Sequence, residues 1–195
     1  MSEDTQELNP TAPHIEPDKP PASLEERVAK LENALDQIVL LMSDTYRYGK
    51  LRELLEANNW READLETTRV MLEIANQPNH DNLKPDEVML FPCSALHLLD
   101  QLWLKYSDNQ FGFSVQRQIY TQEGGTDDIS NIDLDLLAQV GDRLGWRGEN
   151  KWLPYEELNF SLSAPPGCHP SNWWRSAYGA KMAVYFLARL MRCGV

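Results

Sequence analysis

Apolar residues recur at Leu24, Val28, Leu31, Leu35, Ile38 and Met42, alternately four and three apart, with Arg27, Lys30, Glu32 and Asp36 between them. That spacing draws one narrow apolar seam along a solvated helix, the pattern of a short coiled coil. Ser23 and Glu26, three residues apart, supply a capping box at its start. Residues 23–46 are therefore expected to form a coiled-coil helix whose seam, over 24–42, either joins copies of the chain into a homo-oligomer or packs on the chain's own domain. Before it, residues 1–22 are rich in proline and carboxylates and nearly free of apolar side chains, which predicts a disordered tail.

Further along, the period stays helical. A short helix over Leu51–Ala57 is broken at Asn58-Asn59, and a second runs from Glu62 to Asn76 with Ala63, Val70, Met71 and Ile74 facing a core. Residues 76–85 are polar and turn-rich, a surface loop. Ser94 is placed to cap a strongly apolar helix, Ala95–Tyr106, with Leu96, Leu99, Leu102, Trp103 and Tyr106 on one broad face. Shorter helices are expected over Ser114–Gln122 and over Ile132–Leu144, the latter closed by Gly145, and a long final one over Asn172–Arg192 carries Trp173, Ala177, Ala180, Val184, Leu187 and Met191. Few segments alternate with period two. The chain is expected to be mainly α: a compact helical domain over 47–170, with a C-terminal helix, 171–195, packing on it.

Charge narrows the partners. Thirty acidic residues against eighteen Lys and Arg leave a formal net charge of −12, the wrong sign for a phosphate-backbone binder, so nucleic acid is not expected. No apolar run is long enough to span a bilayer, and the acidic start of the chain lacks the apolar region of a signal peptide. The cysteines, Cys93, Cys168 and Cys193, are odd in number and share no short paired spacing. They predict neither a disulfide framework nor a zinc site, and a reducing cytoplasm fits best.

Candidate chemistry is sparse. No Gly-x-Ser-x-Gly elbow, glycine-rich phosphate loop or His-x-x-x-His pair occurs. The adjacent Cys168 and His169 are better explained by loop polarity than by an iron site, and no metal site or obligatory cofactor is expected. Asp64, Asp100 and Asp142 read as caps or salt-bridge partners rather than catalytic groups. What remains is aromatic. Phe111-Gly112-Phe113-Ser114-Val115-Gln116, with Trp146, Trp152, Tyr155 and Phe160 downstream, suits the wall of a large flat apolar ligand, although Trp103 and Leu102 read as core.

These residues belong to a longer series. Leu51-Arg52-Glu53-Leu54-Leu55, Trp60-Arg61-Glu62-Ala63-Asp64-Leu65-Glu66-Thr67, Phe91-Pro92-Cys93, Leu99-Asp100-Gln101-Leu102-Trp103, the Phe111–Gln116 run, Val140-Gly141-Asp142-Arg143-Leu144-Gly145-Trp146-Arg147, Trp152 with Tyr155, and Phe160-Ser161-Leu162 before Ala164-Pro165-Pro166-Gly167 follow in order over residues 48–170. In this series the chain resembles the genomes-uncoupled-four family of tetrapyrrole-binding domains, accessory proteins of magnesium chelatase. The resemblance implies a helical domain with a concave surface holding protoporphyrin IX or magnesium protoporphyrin IX. It also implies a non-enzymatic role in chlorophyll biosynthesis, with the large porphyrin-binding subunit of magnesium chelatase as partner, in the cytoplasm or at the periphery of photosynthetic membranes.

A porphyrin needs apolar faces for its ring and cations for its propionates. The residues expected to meet the ring are Phe111, Phe113, Val115, Ile119, Trp152, Tyr155, Phe160 and Leu162, with Arg117, Arg143, Arg147 or Arg175 for the propionates. Two departures stand out: cyanobacterial members carry a larger N-terminal helical bundle, and the family's Gly-His-Leu-Pro is here Gly167-Cys168-His169-Pro170. The alternative expectation is an interaction or signalling module, assembled through its coiled coil, that uses the same fold to sense haem or a bilin.

Overall fold

In a computed structural model of the chain, the described residues are Leu24, Arg27, Val28, Lys30 and Leu31, and 46–195. The chain divides into two units, 1–42 and 43–195. In the first, the five described residues are helical. The disordered tail and the second half of the expected coiled-coil seam, Leu35, Ile38 and Met42, lie outside the described residues.

The second unit is helical. Helix α1 is described over 46–56, followed by α2 (Trp60–Ile74), α3 (Pro85–Val88), α4 (Cys93–Tyr106), α5 (Phe113–Gln122), α6 (Leu134–Arg143) and α7 (Ala180–Cys193). Between α6 and α7 a two-residue hairpin, β1 (Arg147–Gly148) and β2 (Lys151–Trp152), pairs Arg147 with Trp152. Two 3₁₀ turns follow, at Tyr155–Glu157 and Asn172–Trp174.

Local chemistry sets the boundaries. Asn58, at φ +56°, separates α1 from α2. Helix α4 starts at Cys93 with Pro92 as its cap, two residues ahead of the Ala95 start and Ser94 cap expected from sequence. Pro92 has no amide hydrogen to satisfy and already holds φ −61°, and its carbonyl accepts from Ala95 and Leu96 at 3.2 Å each. Asp133 caps α6 by accepting from Leu136 N at 2.9 Å. The long final helix is corrected: Asn172–Trp174 is a 3₁₀ turn, and α7 begins only at Ala180, after Gly179 at φ +47°, ψ −120°. An apolar stripe at helical spacing does not reveal a break made by one backbone outside the α region.

Helix α7 packs on α3, α4 and α5 through Phe186, Leu187 and Leu190, all fully buried. A second correction concerns its last residue. Cys193 is disulfide-bonded to Cys93, 100 residues earlier, whereas Cys168 is free and buried. Pairing follows from where the ends of α4 and α7 meet, which residue spacing does not show. In the chain-entropy account, closing so long a loop stabilises the fold by about 4–5 kcal/mol.

Candidate functional site

The Phe111–Gln116 run turns inward. Phe111 packs edge-on against Trp60 at 5.6 Å and His169 at 5.1 Å, and Phe113 edge-on against Phe186 at 5.0 Å. Both phenyl rings have no exposed surface, so the two residues expected to wall a ligand are core. Their glycine explains the geometry. Gly112 sits at φ +149°, and a Cβ there would stand 2.7 Å from Asp100 Oδ1, the oxygen that accepts from Ser114 N at 2.8 Å and caps α5.

The loop from Asn159 to Asn172 is sewn to the core by one buried carboxylate. Asp64 on α2 accepts from Ser171 N at 2.8 Å, Ser171 Oγ at 2.8 Å, Asn172 N at 3.0 Å and Tyr155 Oη at 3.3 Å. His169 Nδ1 lies 3.5 Å from the same carboxylate, and its Nε2 lies 2.9 Å from Asn159 O. Burial disfavours the imidazolium, but the contacts with Asp64 and Cys168 outweigh that and push His169 up to about 10. Burial, then Asp64, likewise raise the Tyr155 phenol. Phe160 stacks on the His169 ring at 4.7 Å and meets Tyr155 edge-on at 5.1 Å. Tyr155 and Phe160, both expected to face a ligand, thus form a half-buried lid over an internal ion pair.

Gln116 on α5 ties down the same loop, its Nε2 donating to Gly167 O at 3.0 Å and Pro170 O at 2.7 Å. This brings Pro166 beside α5. Val115, Gln118, Ile119 and Gln122 from α5, Arg143 from α6 and Pro166 from the loop line an open groove of about 300 Å³. Three of the residues expected to bind ligand, Val115, Ile119 and Arg143, meet here. The Arg143 guanidinium bonds Glu123 at 2.6 Å and Gln122 at 2.8 Å and is exposed at the groove's edge.

Other expected residues lie elsewhere. Arg147 is occupied by Ala138 O at 3.1 Å, Asp142 at 2.8 Å and Asn150 O at 2.9 Å, which hold the hairpin to α6. Arg175 donates to Leu153 O and lies over the Trp174 ring. Nε of Arg117 is buried without a hydrogen-bond partner, and Leu162 is exposed. Trp152 lies against Gly141, where a Cβ would stand 2.7 Å from its ring, and walls a second cavity of about 300 Å³. That cavity's lining is mainly apolar and includes Leu137, Val140, Trp146, Trp174, Ala183 and Leu187. Sequence reading missed Trp174 as a cavity residue because it set this tryptophan within a continuous helix. Among the described residues no cluster of His, Cys, Asp or Glu could hold a metal ion, and no helix is long and apolar enough to cross a membrane.

Known proteins share this architecture. A family model described as GUN4-like matches residues 42–185. The chain is 29% identical over 126 residues to the Ycf53-like protein of Synechocystis sp., covering 63% of this chain and 50% of that protein. It is 36% identical over 75 residues to a chloroplastic tetrapyrrole-binding protein of Arabidopsis thaliana, covering 37% of this chain and 28% of the relative. The chain thus spans about half, or less, of the length of these curated relatives. The ligand-free structure of Arabidopsis thaliana GUN4 superposes with a TM-score of 0.59 at 25% identity, covering 72% of this chain and 91% of that one. GUN4 of Chlamydomonas reinhardtii shares the fold at a TM-score of 0.53 and 24% identity, covering 71% of this chain and 86% of that one.

Proposed function

The chain belongs to the GUN4-like family, and from that premise we propose that it is a non-enzymatic tetrapyrrole-binding protein, its ring site the groove between α5 and α6. The observation that carries this reading is the convergence of Val115, Ile119 and Pro166 with the exposed guanidinium of Arg143 on one open groove. A tetrapyrrole is a flat apolar body with carboxylates on one edge, and the groove offers aliphatic faces with a cation at the rim. Hiding about 400 Å² of ring contributes on the order of 10 kcal/mol, enough for micromolar binding after the costs of association. The loop that carries Pro166 is fixed by Gln116 and Asp64, so the groove is largely formed before ligand arrives.

Protoporphyrin IX and magnesium protoporphyrin IX are the ligands proposed. Delivery to the large porphyrin-binding subunit of magnesium chelatase, in support of chlorophyll biosynthesis, is the role. Titration of the full chain with each porphyrin, read by the Soret band and tryptophan quenching, tests the reading, and the absence of any saturable change at micromolar ligand would sink it. Haem and a bilin, titrated in parallel, test the sensing alternative. Adding the chain to a magnesium chelatase assay tests the role separately from the binding.

A further inference from the structure

Cys93 is the first residue of α4 and Cys193 the last of α7, and their sulfurs are bonded with the Cα atoms 5.2 Å apart. Both residues are half-buried, whereas Cys168 is sealed in the core. Weaker ties surround the bond. His97 Nε2, on the next turn of α4, lies 3.0 Å from Cys193 O. Arg189 donates to Phe91 O through Nε at 3.0 Å and Nη2 at 2.7 Å. The other half of α7 has a different duty, since Ala180, Ala183 and Leu187 wall the indole cavity beside Trp146, Trp152 and Trp174. One helix therefore joins the sulfur pair to that cavity.

We propose that Cys93 and Cys193 are a reversible thiol–disulfide site through which a disulfide of the glutathione class fastens α7, and a dithiol reductant releases it, setting the firmness of the indole cavity's wall. In the fastening step the thiolate of one cysteine attacks glutathione disulfide and expels one glutathione. The second cysteine then attacks the mixed disulfide and expels another. Two protein thiols and one glutathione disulfide become one protein disulfide and two glutathiones, both electrons and both thiol protons passing to the glutathione sulfurs. Release by a dithiol runs the same exchange in the other direction. In the released state the end of α7 is held by the packing of Leu190 and Val195 and by hydrogen bonds to the Phe91, Cys193 and Asp127 oxygens, without a covalent tie.

The test uses the full chain, incubated with glutathione disulfide or with a phosphine reductant and then freed of reagent. Thiol titration after denaturation should find one thiol in the first sample and three in the second, with peptide mass mapping placing the bond at Cys93 and Cys193. Reduction should lower the melting temperature by about 10 °C. It should also speed amide exchange at least tenfold across α7, residues 180–187 included. Cys193→Ser should match the reduced chain in both treatments, and if that variant does not fold, the chemically reduced chain carries the comparison. Three thiols after glutathione disulfide, or equal melting and exchange in the two states, would overturn the proposal. Faster exchange confined to residues after Ala188 would overturn the link to the cavity. No tetrapyrrole enters any of these readings, so the result stands apart from the porphyrin titration.

Discussion

Asp64 and Ser171, 107 residues apart, are joined by two hydrogen bonds of 2.8 Å, from the serine amide to one carboxylate oxygen and from its hydroxyl to the other. Both residues are fully buried, and the carboxylate also receives Asn172 N and Tyr155 Oη. One aspartate on α2 therefore sets the path of the loop that reaches Pro166. Asp64→Asn removes the charge facing His169 and points an amide N–H₂ at donors that need an acceptor. It should cost about 3 kcal/mol in urea unfolding, whereas Asp142→Asn, on a half-exposed carboxylate paired with the mostly buried Arg147, should cost only about 1 kcal/mol. Equal effects would mean that the Asp64 network does not organise the loop.

The same network gives stability a pH dependence of definite sign. His169 titrates near 10 in the folded chain against an ordinary 6.5. Its contribution is complete below about pH 6.5 and is lost as pH rises through about 10, because the folded state holds a proton that the unfolded state has released. Unfolding free energies from urea titrations at pH 6 to 10.5 should fall across that window by an amount on the order of a few kcal/mol, and the midpoints with them. His169→Gln should flatten the curve there. A midpoint that rises between pH 7 and 10 would contradict the buried ion pair.

Gly112 tests the inward turn of the phenylalanines. An alanine at φ +149° is strained in its own backbone, and its Cβ would press on Asp100 Oδ1 and on Leu104. Gly112→Ala should therefore destabilise by about 2–4 kcal/mol. Gly124→Ala, also at positive φ but with nothing within 4 Å of the added carbon, should cost about 1–2 kcal/mol from the backbone alone. The difference between the two combines the contact with the α5 cap and the greater backbone strain at Gly112, φ +149°, ψ +163°.

This glycine also marks where sequence reading stops being informative. The helical period located α2, α4, α5 and α6 because each buries one continuous face, and Trp103 was legible as core for the same reason. Phe111 and Phe113 were not, since a Phe-Gly-Phe run has the composition of a ligand wall and of a core turn alike. Only the backbone at Gly112, which sends the rings toward Trp60 and Phe186, separates the two. Arg143 and Arg147 pose the same problem four residues apart on the sequence. One ends exposed at the groove, and the other is consumed by Ala138 O, Asp142 and Asn150 O. The Cys93–Cys193 bond was illegible for a different reason, because it depends on two helix ends meeting across 100 residues.

The contrast between those two arginines gives the most direct test of the ring site. Arg143 is exposed and bonded only to surface partners, Glu123 and Gln122, so Arg143→Gln should change unfolding free energy by less than about 1 kcal/mol. A propionate held by that guanidinium loses a charge-assisted contact of about 1.5–3 kcal/mol, which raises the Kd for protoporphyrin IX roughly tenfold or more. Arg143→Lys should recover part of the loss, because the charge remains while the planar fork does not. The matched measurement is Trp152→Ala, which strips the wall of the indole cavity and leaves the Arg143 groove intact. A ring seated between α5 and α6 requires Arg143→Gln to be the more damaging change. A larger loss of affinity in Trp152→Ala would move the ring to the indole cavity and leave Arg143 a surface residue with no part in binding.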